Sequence, residues 1–283
     1  MSETLALKLV LTPVLIAGAT LVGRRWGPSL SGWLVGLPFT SGPVVFFLGL
    51  EHGTGFAATA ALGVVLGVTS QAVFGLAYIR IAVGRGWLPR VVWGTVAFAM
   101  ATITFALIQM PEWLEPLLVA ASLLLAIRFA GRPVPAFQVA RAAEPADLSL
   151  RIVIATALVI ALTETAPLLG ARLSGLLSPF PLYAGILAVF AHRQGGAAAA
   201  HSVWRGLFFG LFAFLGFFTV LAATLGPIGI GGSFALAILT ALLMQGLTLL
   251  LLRRLQVAPG ETPVRQAKHP DQPGDYPDQV THR

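Results

Sequence analysis

The sequence contains no cysteine. This absence excludes disulfide bonds, thiolate catalysis and cysteine-based metal sites, and it leaves the cellular compartment open. Charge is scarce as well, because only 10% of the 283 residues are charged, whereas a soluble globular domain carries about 25%. So few charged side chains cannot cover a protein surface in water, which excludes an ordinary soluble domain.

Long apolar runs make up most of the chain, and 57% of the residues are hydrophobic. A run of about 20 residues is long enough to cross a hydrocarbon core about 30 Å thick. The sequence therefore predicts an all-α polytopic membrane protein with about nine transmembrane helices. The predicted spans lie near residues 5–22, 30–50, 56–79, 90–109, 112–129, 148–167, 174–191, 200–223 and 231–252.

The net charge of +7 would indicate nucleic acid as a partner of a soluble protein, but here most basic residues fall between the apolar runs. Cytoplasmic loops of membrane proteins are enriched in arginine and lysine, so we interpret these residues as topology signals. We therefore expect no nucleic acid partner. We expect a multi-pass protein of the bacterial inner membrane with its amino terminus outside and its carboxyl terminus in the cytoplasm. The predicted inner segments carry Arg24, Arg25, Arg80, Arg85, Arg90, Arg128, Arg132, Arg141, Arg193, Arg205, Arg253 and Arg254, and the outer ones little more than Lys8 and Arg172.

The chain also aligns with itself. Residues 5–77 match residues 148–220 without a gap, each position pairing with the residue 143 places further along. Backbone geometry determines where glycine and proline can stand, so their coincidence indicates two copies of one backbone. The coinciding residues include Gly32 with Gly175, Pro38 with Pro181, Gly42 with Gly185, Gly53 with Gly196, Gly63 with Gly206 and Gly67 with Gly210.

Spans one to four match spans six to nine, and span five is an unmatched connector. An odd number of helices separates equivalent positions, so the second copy must cross the membrane upside down, giving a 4+1+4 inverted repeat with broken second and seventh helices. This plan is typical of secondary transporters and also occurs in channels. The predicted units are residues 1–110, a connector helix and cytoplasmic linker at 111–147, the second repeat at 148–254, and a disordered tail at 255–283.

The second span of the first unit has a recognisable local pattern. Ser31-Gly32 leads into Gly36-Leu37-Pro38-Phe39-Thr40, and a polar turn follows at Glu51-His52-Gly53. This pattern resembles that of GlpM-like small bacterial membrane proteins, which look like single copies of a four-helix unit. The resemblance implies an architecture of two such units fused, and it carries over no catalytic residue.

Proline and glycine stand near the middle of spans two and seven. Proline removes a backbone donor and clashes with the preceding turn, so we expect both helices to break there. Paired broken helices are typical of a transporter binding site, whereas the alternative is two harmless kinks packed against their neighbours. The candidate substrate-binding residues are Pro38, Phe39, Thr40, Ser41 and Gly42, then Phe180, Pro181, Tyr183 and Gly185, and Gln71 in span three.

Glu164 is the one carboxylate well inside an apolar run. It could carry a coupling proton or pair with Lys8, and the alternative is an interfacial residue that reaches lipid headgroups. Histidines His52, His192 and His201 show no spacing that would hold a metal on one helix, so we expect no metal and no cofactor.

We expect a transporter that works by alternating access on an unidentified small polar or anionic solute. The alternative is a non-transporting assembly or regulatory subunit of an envelope pathway, which would need the helices but no wet cavity. An enzyme is disfavoured, because the chain shows no set of acid, base and nucleophile. The expected partners are the lipid bilayer and the solute, and a homo-oligomer is left open.

Overall fold

The computed structural model describes residues 3–23, 27–80, 86–131 and 145–256, and every regular element in these ranges is a helix. The helices are α1 (Glu3–Gly23), α2 (Gly27–Val35), α3 (Ser41–His52), α4 (Thr54–Arg80), α5 (Trp87–Leu107), α6 (Leu114–Ala130), α7 (Pro145–Leu169), α8 (Ala171–Leu177) and α9 (Leu182–Gln256).

Several predicted features fall outside the described residues. They include the arginines at positions 24, 25 and 85, nearly all of the predicted linker, and the tail from residue 257 onward. At the end of the linker the structure differs from the expectation, because α7 begins at Pro145 rather than near residue 148. Proline favours the first turn of a helix, where its missing N–H would have no partner, and this explains the earlier start.

Helix α9 consists of three segments separated by glycines. Gly196 and Gly229 have φ values of 70°, which lie in a region of backbone space that favours glycine. We refer to residues 182–195, 197–228 and 230–256 as the first, second and third segments of α9. Gly53, between α3 and α4, breaks the chain in the same way with φ 87°.

The length and composition of the helices confirm a helical membrane protein. Within the described ranges, four helical stretches are long and apolar enough to span a bilayer, namely Thr54–Arg80, Trp87–Leu107, Ile152–Leu169 and Ala171–Leu251. Helix α5 and the third segment of α9 expose large apolar side chains along their length, as a lipid-facing surface requires.

Helix α4 and the second segment of α9 form the centre of the bundle. From Gly63 to Ala72 every residue of α4 is buried, and so is almost every residue between Ser202 and Phe218. The phenylalanines of this second segment lie mainly in the core. The residues that face lipid are instead on the outer helices, because the two central helices are surrounded by the others.

Close backbone contacts hold the short helices α2 and α8 against this centre. Gly32 of α2 lies against the carbonyl of Val203, and Gly210 lies against the carbonyl of Trp33. On the other side, Gly175 of α8 lies against the carbonyl of Ala60. A Cβ atom at any of these three glycines would collide with backbone, so the approach depends on glycine.

Basic side chains hold one end of the connector helix α6. The carbonyls of Phe129, Ala130 and Gly131 lack partners within the helix, and they accept hydrogen bonds from Arg80, His201 and Arg205 respectively. Cationic donors at a helix carboxyl terminus also favour its dipole. These bonds connect α6 to both α4 and α9.

We predict that Gly210→Ala destabilises the fold, because its Cβ would meet the Trp33 carbonyl and the Gly36 Cα. Overpacking of this kind costs about 1–3 kcal/mol, and backbone atoms leave little room for relief. Thermal unfolding of the protein in detergent measures the effect.

Gly246→Ala is the matched control, since a Cβ there meets nothing within 4 Å. It should leave the melting temperature unchanged or slightly raised, because alanine is the better helix former. Equal melting temperatures for the two variants would contradict the close contact.

Candidate functional site

Two interruptions in helical backbone meet at the middle of the bundle. Helix α2 ends at Val35 and α3 begins at Ser41, while α8 ends at Leu177 and α9 begins at Leu182. Proline stands in both gaps, at Pro38 in the first and at positions 179 and 181 in the second, which explains why neither helix continues.

A small cavity lies between the two interruptions. Its volume of about 20 Å³ is room for about one water molecule. It is lined by Val35, Leu37, Phe39, Thr40, Ser41, Gln71, Pro179, Phe180, Pro181, Tyr183, Ala184 and Phe214.

Most of the residues that the sequence singles out are brought together here. Phe39, Thr40, Ser41, Gln71, Phe180, Pro181 and Tyr183 all line the cavity. Pro38, Gly42 and Gly185 do not, although each adjoins a lining residue in the chain. At Gly42 the nearest atom to an added Cβ is the Pro38 side chain at 3.7 Å, and at Gly185 nothing lies within 4 Å.

A hydrogen bond joins the two interruptions directly. The Ser41 hydroxyl donates to the Ser178 carbonyl at 3.0 Å, and both residues are buried. The carbonyl belongs to the turn that follows α8, so this bond satisfies an acceptor that the broken helix leaves without an intrahelical donor. Sequence reasoning did not single out Ser178.

Several polar groups around the cavity lack partners. The Gln71 Oε1 and Ser178 Oγ atoms are buried with no hydrogen bond, and Thr40, at the N-cap of α3, makes no side-chain cap bond. None of the residues that line the cavity carries a formal charge. The site therefore offers neutral hydrogen-bonding groups within apolar walls.

A column of aromatic residues extends from the cavity toward the carboxyl end of α4. The Phe180 ring, which lines the cavity, lies 6.1 Å from Phe74, and Phe74 lies 5.2 Å from Trp204. Trp204 in turn lies 5.7 Å from Tyr78. The column ends where the Tyr78 hydroxyl and His192 Nδ1 share a 3.4 Å hydrogen bond.

A second aromatic group lies beyond Phe214. That ring is 4.7 Å from Phe218, which contacts Phe217 at 4.9 Å. The chain of rings continues from Phe217 through Phe234 to Phe46 and Phe47. Contacting rings therefore extend from the cavity in two directions.

An ion cluster stands at the far end of this second group. The buried Lys8 ammonium lies 2.8 Å from a Glu51 oxygen, 3.0 Å from a Glu164 oxygen and 5.7 Å from the centre of the Phe47 ring. Lys8 therefore forms the ion pair with Glu164 that the sequence suggested as one alternative. Glu51 was missed as a partner, because it stands at a predicted loop far from Lys8 in sequence.

The same end of α4 carries a second ion pair. Arg172 of α8 donates to Glu115 of α6 at 2.9 Å, and the Glu115 side chain is fully buried. Within the described part of the chain, no group of three histidine, aspartate or glutamate residues could hold a metal ion.

No protein-family model matches this sequence, and no curated protein or solved structure matches it either.

We predict that Glu51→Gln and Glu164→Gln are strongly non-additive. Each single change leaves Lys8 one carboxylate, so the free energy of unfolding should fall by about 1 kcal/mol or less. The double change leaves a buried ammonium unpaired, and it should cost about 3 kcal/mol or more.

Thermal unfolding in detergent at neutral pH measures all three variants. Glu112→Gln, at an exposed glutamate outside the cluster, serves as the control. Additive losses would mean that the two carboxylates do not share one partner.

Proposed function

We propose that the chain is a secondary transporter that works by alternating access around the cavity. It has nine spans arranged as a 4+1+4 inverted repeat, with its amino terminus outside and its carboxyl terminus in the cytoplasm of a bacterium. The substrate is a small polar or anionic solute. What carries the proposal is that both helix interruptions contribute to one cavity.

The bounds of the helices support the repeat. A shift of 143 residues moves α2 onto residues 170–178, where α8 lies, and α3 onto 184–195, within the first segment of α9. The same shift moves Gly53 onto Gly196, and both have positive φ. Helix α6 has no counterpart among the residues that the structure describes, and this agrees with a connector role.

The close contacts of glycine residues also support the repeat, because they occur in pairs in which the two copies exchange roles. Gly32 contacts Val203, while their counterparts Gly175 and Ala60 contact each other. In an arrangement with two-fold symmetry, a contact between i and j is repeated with the roles of the two copies exchanged. Gly210 with Trp33 and Gly67 with Leu176 form a second exchanged pair.

The cavity lies where the two copies meet. Its lining includes counterparts from each, such as Thr40 with Tyr183, Ser41 with Ala184, and Gln71 with Phe214. Inverted-repeat transporters bind substrate at this position, where unwound backbone and helix ends face the ligand. The first copy contributes more of the polar side chains than the second.

The two halves differ in one interface, as alternating access requires. Between α2 and the third segment of α9, the Trp33 indole donates to Thr248 at 3.1 Å and the Gln245 amide donates to the Trp33 carbonyl at 2.9 Å. The counterpart interface between α5 and α8 instead holds an apolar groove of about 460 Å³. The first interface is thus joined by hydrogen bonds, whereas its counterpart contains a groove.

The topology is tested by labelling single cysteines, since the chain has none of its own. Glu112→Cys, between α5 and α6, should react with an impermeant thiol reagent added to intact cells. Arg193→Cys should react only after the cells are opened. Both residues are exposed. The reverse pattern would refute the orientation.

Transport is tested with purified protein in proteoliposomes, using osmotic swelling in a panel of small polar and anionic solutes. Thr40→Leu should abolish any flux that the protein produces, because the larger apolar side chain fills the cavity and removes a hydroxyl. Thr59→Leu, a matched change at an exposed residue, should leave the flux unchanged. If no solute in a broad panel crosses, the alternative of a non-transporting subunit is favoured, and the small volume of the cavity would agree with it.

A further inference from the structure

We infer that the cavity is a binding site for a small monovalent anion about the size of a water molecule, such as a halide. As a statement about the transported substrate, this inference rests on the proposed function. As a statement about binding, it rests on the helix ends, the unpaired donors, the absence of charge and the size of the cavity.

The two interruptions place two helix amino termini at one cavity. Helix α3 begins at Ser41 and α9 at Leu182. Ser41 lines the cavity, and so do Tyr183 and Ala184 in the first turn of α9. Each helix amino terminus presents free N–H groups and a partial positive charge. Two of them facing one small volume favour an anion there.

Several carbonyls at the opposite helix ends already have donors. Around the end of α2, the Trp33 and Leu34 carbonyls accept from the amides of Gly36 and Leu37. Around the end of α8, the Leu177 carbonyl accepts from the Phe180 amide, and the Ser178 carbonyl accepts from Ser41. These carbonyls are already bonded, so they offer little to a cation.

Backbone donors without a partner remain in both interruptions, and two of them are counterparts of each other. Among the described residues, the N–H groups of Ser41 and Ala184 have no hydrogen-bond partner, whereas their neighbours Gly42 and Gly185 donate to the carbonyls of Pro38 and Pro181. Unpaired N–H groups inside a membrane protein are costly unless a ligand or water accepts from them. A bound anion would accept from both.

Gln71 is an independent indication of a ligand. The residue is only 7% exposed and lines the cavity, and its Oε1 atom has no partner. A half-turn of the terminal amide exchanges its oxygen and nitrogen, so Gln71 can direct two N–H donors at an anion. The Thr40 hydroxyl, free of a cap bond, adds another donor.

The charge of the lining residues and the size of the cavity limit the kinds of ligand that can bind there. No carboxylate lines the cavity, so a cation would find no counter-charge, while no basic residue is present to hold a multivalent anion. Weak dipolar donors in an apolar enclosure match a single negative charge. A volume of about 20 Å³ excludes large organic anions from this conformation.

Binding is tested on the full-length protein in detergent by titrating chloride against gluconate at constant sodium and ionic strength. The melting temperature should rise with the logarithm of the chloride concentration above its Kd, by about 3–6 °C when chloride reaches about ten times that value. Gln71→Leu should lose most of this rise, and Gln194→Leu, at an exposed glutamine, should keep it. A melting temperature that does not respond to chloride, or an equal response in Gln71→Leu, would overturn the site.

Flux through proteoliposomes separates this inference from the proposed function. Chloride efflux that Gln71→Leu abolishes supports both. A second outcome is that glycerol crosses with the wild-type protein and not with Thr40→Leu, while chloride neither binds nor crosses. That result would support the proposed transport function and contradict the anion site. If chloride binds through Gln71 but nothing crosses, the anion site stands and transport is wrong.

Discussion

Backbone polar groups inside a membrane bundle cannot turn to bulk water, and most of what distinguishes this molecule depends on that constraint. Prolines interrupt two helices and release N–H and C=O groups at the centre. Short turns bond most of them, and the Ser41 hydroxyl bonds the Ser178 carbonyl across the two interruptions. The N–H groups of Ser41 and Ala184 are among those left without a partner, and both residues line the cavity. The cavity is therefore where the fold has donors that it does not itself satisfy.

Such an arrangement requires short helices to approach the centre closely. Glycine makes this approach feasible, because Gly32, Gly175 and Gly210 each lie against a backbone carbonyl where a methyl group could not fit. The same contacts fix the depth of α2 and α8, and with it the place at which each helix is interrupted. The same glycine contacts therefore pack the short helices and position the residues around the cavity.

The sequence predicted the helical membrane fold well, since long apolar runs leave few alternatives in a bilayer. It also indicated the residues around the cavity, because proline and glycine act on their own segments and therefore signal locally. Phe214 and Ser178 were missed, since each is an ordinary residue for its segment and reaches the site only through tertiary packing. Glu51 was missed for a related reason. Its partner Lys8 lies on another helix, and nothing in either segment shows that the two ends meet.

The ion cluster joins three helices. Lys8 lies on α1, Glu51 on α3 and Glu164 on α7, so one buried ammonium bonds carboxylates of two other helices. Glu164 is the more exposed partner, with 63% of its side chain accessible compared with 20% for Glu51. An exposed carboxylate can exchange its partner for water at low cost, whereas a buried lysine cannot lose both acids. Movement of α7 relative to α1 and α3 would therefore break the bond to Glu164 first and keep the bond to Glu51.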